Sequence, residues 1–126
     1  MLNKEVGMRN YQELEAWQHS MILTESIYRI TASFPENERF GLTSQMRRAA
    51  ISIPSNIAEG HGRESGQDFK RFLLIARGSL SELETQLKIA QRIGLYVEDE
   101  TVETQIQRVF SLLNGLINYL KRKFNP

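Results

Sequence analysis

Histidines are the first side chains to test for acid-base or metal chemistry, and this chain has only His19 and His61. Neither lies one helical turn from a second histidine. Glu59, His61 and Glu64 could meet around a divalent metal, but three groups in a glycine-rich loop, without a second histidine, form a weak ligand pattern. The absence of cysteine excludes disulfides, a thiolate nucleophile and cysteine-ligated metal centres. We therefore predict no metal site.

Other catalytic patterns are also missing from the sequence. No serine occupies a Gly-x-Ser-x-Gly turn, which argues against a hydrolase triad on a nucleophile elbow. Gly60, Gly62 and Gly66 lack the Gly-Lys-Ser/Thr ending and the preceding strand of a phosphate-binding loop. The sequence predicts no cofactor and no enzymatic activity.

Basic residues offer a different chemistry, the binding of phosphates. The formal net charge is only +1, but residues 41–71 contain five basic and three acidic side chains. On a helix, the seven-residue spacing of Arg63, Lys70 and Arg77 predicts one stripe, next to a neighbouring helix that carries two more arginines. The candidate nucleic-acid-binding residues are Arg47, Arg48, Arg63, Lys70, Arg71 and Arg77.

The same charges have a second interpretation. They could form a solvated face, pair locally as Asp68 with Arg71, or pair between subunits with Glu59, Glu82 or Glu84. Exposed pairs of this kind contribute little to stability. Lys121, Arg122 and Lys123 are assigned to the C-terminal dipole of the last helix rather than to a binding arm.

The elements that position these residues are predicted to be helices only. The 126 residues, 40% of them hydrophobic, fit one domain over residues 1–126. Leu and Ile recur at helical spacing, and no alternating β-branched run is present. Helices are expected over approximately 11–33, 42–60, 66–93 and 99–123. Short connections favour an antiparallel, up-down-up-down four-helix bundle.

Helix ends and interruptions follow from single residues. Asn10, Ser65 and Asp99 are predicted N-caps, and Gly60 is a candidate C-terminal cap. Pro54 is predicted either to kink the second helix or to split it in two.

Core positions are predicted from the three- and four-residue steps between apolar residues. Trp17 and Tyr28 are placed in the core rather than in a base-stacking site, and Gly78 is expected to allow close approach of a neighbouring helix. The predicted stripe of the third helix is Phe69, Leu73, Ala76, Leu80, Leu83, Leu87 and Ala90, and that of the fourth is Val102, Ile106, Val109, Leu113, Leu116 and Leu120.

More apolar side chains are present than one small bundle needs. The third helix starts apolar around most of its circumference, and Ile51, Ile89 and Ile93 lie beside the predicted stripes. We predict a homo-oligomer of unspecified stoichiometry. The alternative is that these residues merely border a wide core.

Targeting signals are not apparent. The first ten residues contain no apolar segment with a small-residue cleavage site, and the longest apolar run is far shorter than the roughly 20 residues that span a membrane. A cytoplasmic location, without membrane partners, is expected.

Two stretches resemble a known family. Residues 45–60, QMRRAAISIPSNIAEG, and residues 78–84, GSLSELE, are similar to the four-helix-bundle proteins encoded in intervening sequences of bacterial 23S rRNA genes. The opening over residues 11–17 and the positions Arg63, Phe69, Phe72, Leu73 and Ala76 extend the resemblance.

The resemblance implies a four-helix bundle that assembles as a ring-like homopentamer. It also implies a distant likeness to accessory proteins of diversity-generating retroelements, which engage nucleic acid and a reverse transcriptase. It brings no catalytic residues. Two functions stay open: binding of structured RNA or DNA through the six basic residues, or a homo-oligomeric scaffold for an unidentified protein partner.

Overall fold

A computed structural model describes residues 10–124, and within them the secondary structure is helical, without strands. The four α-helices are α1 (Glu15–Thr31), α2 (Leu42–His61), α3 (Gly66–Arg92) and α4 (Glu100–Phe124). Short 3₁₀ turns at Tyr11–Glu13 and Glu36–Glu38 precede α1 and α2. The packing is compatible with the predicted bundle. The described residues exclude 1–9 and 125–126. Both segments belong to the predicted domain, and the first includes most of the N-terminal stretch in which no leader was predicted.

The first helix begins later than its predicted cap. The Asn10 side chain accepts a hydrogen bond from the Gln12 backbone N–H at 2.8 Å and so caps the 3₁₀ turn rather than α1. Leu14 is extended, with φ −74° and ψ 127°, and separates that turn from α1. The prediction that Asn10 is an N-cap is confirmed, but the prediction that it caps the first α-helix is wrong.

Pro54 lies inside α2, which continues through it as one helix. A proline has no N–H for the carbonyl four residues earlier, here that of Ala50. The Thr24 hydroxyl of α1 lies 3.1 Å from the Ala50 oxygen and 2.8 Å from the Ser20 oxygen, so a neighbouring helix supplies a donor. Two separate helices are thereby excluded, whereas the kink stays a prediction.

Gly60 is a packing residue rather than the expected cap. It is buried within the last turn of α2, and Gly62 occupies the C-cap position. A β-carbon added at Gly60 would lie 2.6 Å from Phe72 Cβ and 3.1 Å from a carbon of the Phe69 ring. The absence of a side chain lets the start of α3 lie directly against the end of α2.

The two long C-terminal helices follow their predicted caps. Ser65 Oγ accepts from the Asp68 N–H at 3.1 Å, and Asp99 Oδ1 accepts from the Thr101 N–H at 2.8 Å. All seven predicted core residues of α3 are buried. In α4, Ile117 is buried in place of the predicted Leu116, which is half-buried, because the regular 3.6-residue turn drifts from a strict 3.5-residue repeat.

Two further core predictions fail. Tyr28 is 39% exposed and lies at the edge of α1, where a guanidinium covers its ring. Trp17, by contrast, packs partly buried against the core. Gly78 is exposed, and among the described residues nothing lies within 4 Å of a β-carbon added there, so none of the other three helices approaches it.

A second stripe of α3 lies beside its core stripe. It repeats in steps of four and three residues, and its three isoleucines are exposed by 43–55%. The second stripe consists of Ile75, Ser79, Glu82, the buried Gln86, Ile89 and the C-cap residue Ile93.

No helix over residues 10–124 is long and apolar enough to cross a membrane. The cytoplasmic location stays a prediction.

Replacing Gly60 with Ala should destabilise the fold by about 1–3 kcal/mol, because the new methyl group meets Phe72 in a packed core. Gly115→Ala is the matched control. It lies inside α4 with nothing within 4 Å of an added β-carbon, and should stabilise by up to about 1 kcal/mol through helix propensity. Urea unfolding of both variants measures the difference, and equal effects would contradict the packing role of Gly60.

Candidate functional site

Arg47 is held against α1. Its Nε donates to Thr31 Oγ1 at 2.8 Å, and its guanidinium carbon lies 4.3 Å from the centroid of the Tyr28 ring. This half-buried side chain fastens the N-terminal part of α2 to the last turns of α1.

Arg77 is held on a different side of the molecule. Its Nη1 donates to Asn114 Oδ1 of α4 at 2.8 Å. Arg47 faces α1 and Arg77 faces α4, so these two arginines lie on different sides of the molecule. Lys70 and Arg77 are seven residues apart on the unbroken helix α3 and so lie on one face of it. Arg63 precedes the first residue of α3, so the part of the predicted stripe that lies on the helix is Lys70 and Arg77.

Arg63 and Arg71 do come together, around Phe72. Their guanidinium carbons lie 4.8 and 4.6 Å from the Phe72 ring centroid, within cation–π distance. Each also has a carboxylate partner, Glu59 at 2.9 Å from Arg63 and Asp68 at 3.5 Å from Arg71. The predicted pair of Asp68 with Arg71 is thus confirmed, and Glu59 pairs within the chain.

The C-terminal turn of α4 adds basic residues to this region. A β-carbon added at Gly66, the first residue of α3, would collide with the Phe124 ring, so the end of α4 lies directly against the start of α3. We call this cluster the basic end. It comprises Arg63, Lys70, Arg71, Lys121, Arg122 and Lys123.

The sequence analysis missed the contribution of α4 to the basic end. The three basic residues at its C-terminus are about 50 residues away from Arg71 along the chain. Only the predicted alternation of helix directions could have indicated that the two segments meet.

Arg48 lines a polar groove between α2 and α3, with a volume of about 390 Å³. Its lining consists of Gln45, Arg48, Ala49, Ser52, Ser79 and Glu82. At its floor the Ser52 and Ser79 hydroxyl oxygens are 2.8 Å apart, and Asn56 Nδ2 donates to Ser52 Oγ at 2.9 Å. The side chains of Arg48 and Glu82 are both exposed, and over residues 10–124 neither side chain forms an ion pair or hydrogen bond.

A second groove, of about 480 Å³, lies between α1 and α4. It is lined by His19, Glu100, Thr101, Thr104, Gln105 and Arg108. Arg108 pairs with Glu15 across it at 3.1 Å. No pattern in the sequence indicated this groove, because its residues lie on the first and last helices.

His61 is buried at the end of α2, and its ring packs edge-on against Phe69 at 5.6 Å. Within the part of the chain that the structure describes, its Nε2 has no hydrogen-bond partner. Burial lowers the pKa of His61, an effect that the negative charge of Glu13 partly opposes. Among residues 10–124, no group of three or more His, Asp or Glu side chains is placed to hold a metal ion.

Comparison with known proteins identifies the family. The family model of the 23S rRNA-intervening sequence protein matches residues 12–115. This chain belongs to that family. The resemblance drawn from residues 45–60 and 78–84 is therefore confirmed.

A solved structure shows a similar fold. It is the crystal structure of a protein of unknown function from Bacteroides thetaiotaomicron VPI-5482, which is assigned to the S23 ribosomal protein family. The TM-score is 0.60 at 21% sequence identity, and the match covers 88% of this chain and 99% of that one. No curated protein matches the chain.

In this intervening-sequence protein, the two stretches that carry the family resemblance face each other across the polar groove. Residues 45–60 supply Arg48 and Ser52, and residues 78–84 supply Ser79 and Glu82. The family motif thus describes the contact between α2 and α3, together with the polar groups displayed there.

The free energy of unfolding should decrease as the pH falls from about 6.5 towards 5.5. Because burial lowers the pKa of folded His61, the unfolded chain binds the proton more readily in this range, and stability present above it is lost. Urea unfolding at several pH values measures the slope. His61→Gln should reduce it, whereas the matched control His19→Gln should keep it. An unchanged slope in His61→Gln would exclude His61 as its source.

Proposed function

We propose that this protein is a non-enzymatic, self-associating helical scaffold. The observation that supports this proposal is the second stripe of α3, which presents Ile75, Ile89 and Ile93 to solvent at 43%, 46% and 55% exposure. Full burial of one such side chain is worth about 1.5–3 kcal/mol relative to exposure. Gln86 in the middle of the stripe is buried, but the three isoleucines are left exposed by their own chain, and a stripe with this repeat fits against another helix at a shallow angle.

The up-down order of the helices is part of the proposal. In support, the Thr24 hydroxyl of α1 contacts the Ala50 carbonyl of α2. Tyr28 lies four residues after Thr24 in α1, and it contacts Arg47, which lies three residues before Ala50 in α2. Positions therefore advance along α1 as they go back along α2. The ring-like pentamer is proposed on the family resemblance alone.

Binding of RNA or DNA is the second candidate, favoured by the basic end. Two separate segments of the chain converge there, the start of α3 and the last turn of α4. Such a cluster contacts phosphates without reading bases. Glu59 and Asp68 neutralise two of the arginines, which is why we rank this function below self-association.

Self-association predicts a light-scattering mass that is a multiple of 14.6 kDa. Ile89→Lys should lower that mass, because a charge on the second stripe would have to be desolvated in the contact. The matched control is Val97→Lys, which changes another exposed apolar residue, 88% exposed between α3 and α4. A monomeric wild-type protein would refute the proposal.

Nucleic-acid binding predicts that the Arg63→Ala/Arg71→Ala double variant loses affinity for a structured RNA. The slope of log affinity against log salt should fall by about 1 for each phosphate contact removed. Arg39→Ala is the matched control, since Arg39 also pairs with a carboxylate, Glu36 at 3.3 Å, and lies over a phenyl ring, that of Phe40. Equal losses in both variants would argue against the basic end as the RNA site.

A further inference from the structure

We infer that an aromatic-walled cleft between α1 and α2 is the docking site of a proline-rich, basic segment of another protein. The cleft has a volume of about 370 Å³. Its walls include Tyr11, Trp17 and Met21 on one side and Ile51, Pro54 and Ser55 on the other. We call it the aromatic cleft. The inference rests on the scaffold part of the proposed function, for which it names a bound partner, and not on self-association.

The aromatic cleft presents apolar side chains to solvent. Met21 and Ile51 are 37% and 43% exposed. The half-buried rings of Tyr11 and Trp17 meet edge to face, with their centroids 5.4 Å apart. None of the residues that line the cleft belongs to α3, which carries the second stripe. Docking here therefore uses a surface separate from the one proposed for self-association.

Hydrogen-bond donors in the aromatic cleft lack acceptors. Over residues 10–124, neither the Trp17 indole N–H nor the Tyr11 hydroxyl has a hydrogen-bond partner, and both groups reach solvent. An indole N–H can only donate, and a hydroxyl can rotate to donate. A proline-rich segment is complementary, because proline has no N–H and the carbonyls of a polyproline II helix are free to accept.

The length of the aromatic cleft favours an extended segment over a helix. Trp17 and Thr24, the first and last residues of α1 that line it, are seven residues apart, which corresponds to about 10 Å of helix. A polyproline II segment rises about 3.1 Å per residue, so three or four residues span this distance. A docked α-helix would make fewer than about two turns of contact there. Aromatic-lined grooves of this kind suit proline-rich ligands, whose conformation is already formed before binding.

Charge complementarity adds basic residues to the partner. Residues 10–28 and 50–61, which form the walls of the cleft, contain four acidic side chains and no lysine or arginine. Glu15 and Glu59 pair with arginines of other segments. Glu25, one helical turn after Met21, is exposed and has no ion pair over residues 10–124. A lysine or arginine beside the prolines would meet a carboxylate here, whereas RNA would be repelled.

A second copy of this chain does not supply such a segment. The 126 residues contain three prolines, Pro35, Pro54 and Pro126, and the nearest two are 19 residues apart. Pro54 is itself buried inside α2. The partner is therefore a different protein.

Two short peptides of equal charge test the inference. RPPLPPR, blocked at both ends, is the probe, and RGGLGGR, in which flexible glycine replaces each proline, is its control. Trp17 is the only tryptophan in the sequence, so its fluorescence reports occupancy of the cleft. RPPLPPR should change this fluorescence saturably, and RGGLGGR should bind about tenfold more weakly or less, because it must be ordered on docking. The acidic peptide EPPLPPE should bind more weakly than RPPLPPR at low salt.

Substitutions separate docking in the cleft from general attraction. Met21→Lys should weaken RPPLPPR binding about tenfold or more, because it adds a like charge to the wall. Ile22→Lys is the matched control, since Ile22 is also exposed on α1, by 46%, but does not line the cleft.

Tyr11→Phe keeps the ring and removes the hydroxyl. It should weaken RPPLPPR binding about 2–10-fold, the value of one neutral hydrogen bond. Tyr28→Phe is its matched control, because it removes a hydroxyl from an exposed tyrosine of α1 outside the cleft. Thermal unfolding verifies that each variant retains the fold.

The outcomes separate this inference from self-association. If RPPLPPR does not bind, or binds no more tightly than RGGLGGR, the aromatic cleft does not recognise proline and the inference is wrong, whatever mass light scattering gives. Equal losses in Met21→Lys and Ile22→Lys would place the peptide elsewhere on the protein and also overturn it. Equal binding of EPPLPPE would refute the basic character of the partner. A monomeric wild-type protein that binds RPPLPPR in the cleft would refute self-association and leave this inference standing.

Discussion

Close contact between α2 and α3 is the constraint on which the rest of the structure depends. Gly60 has no side chain where Phe72 lies, and Ser52 meets Ser79 hydroxyl to hydroxyl at 2.8 Å. Larger residues at these positions would separate the helices. At one end of the α2–α3 contact, Arg63 and Arg71 cover the Phe72 ring. The polar groove lies further along the same two helices. Both candidate surfaces are consequences of the same packing.

Charge pairing divides the basic residues into groups with different capacities for binding. Arg47 and Arg77 donate to side chains of α1 and α4, so their hydrogen bonds serve the fold. Arg63 and Arg71 keep their charge at the surface but share it with neighbouring carboxylates, which weakens their attraction for phosphates. The Arg48 side chain has no such partner among residues 10–124. Arginine side chains therefore hold helices together, form surface ion pairs or stay unpaired at the surface. The neighbours of each arginine, rather than the composition of the chain, decide which of the three it does.

Helices and caps could be predicted because they depend on residues close together in the chain. Ser65 and Asp99 each satisfy a backbone donor two or three residues away, and the core stripe of α3 follows from regular apolar spacing. Predictions failed where a distant segment intervened. Tyr28 lies at the edge of α1 under a guanidinium of α2. The choice between a kink and a split at Pro54 was left open by the sequence, and the structure decides it for one helix, in which the Ala50 carbonyl lies beside a hydroxyl of α1.

The sequence by itself determined the helical class, the family and a surplus of apolar residues, since each is encoded in local spacing or in a contiguous motif. The tertiary structure alone decided which charges remain unpaired and which segments meet. Seven-residue spacing could not show that Arg77 donates to Asn114 of α4, nor that the last turn of α4 meets the start of α3 through Phe124 and Gly66. Such pairings join residues tens of positions apart, and only the packing of the helices brings them within hydrogen-bond or van der Waals distance.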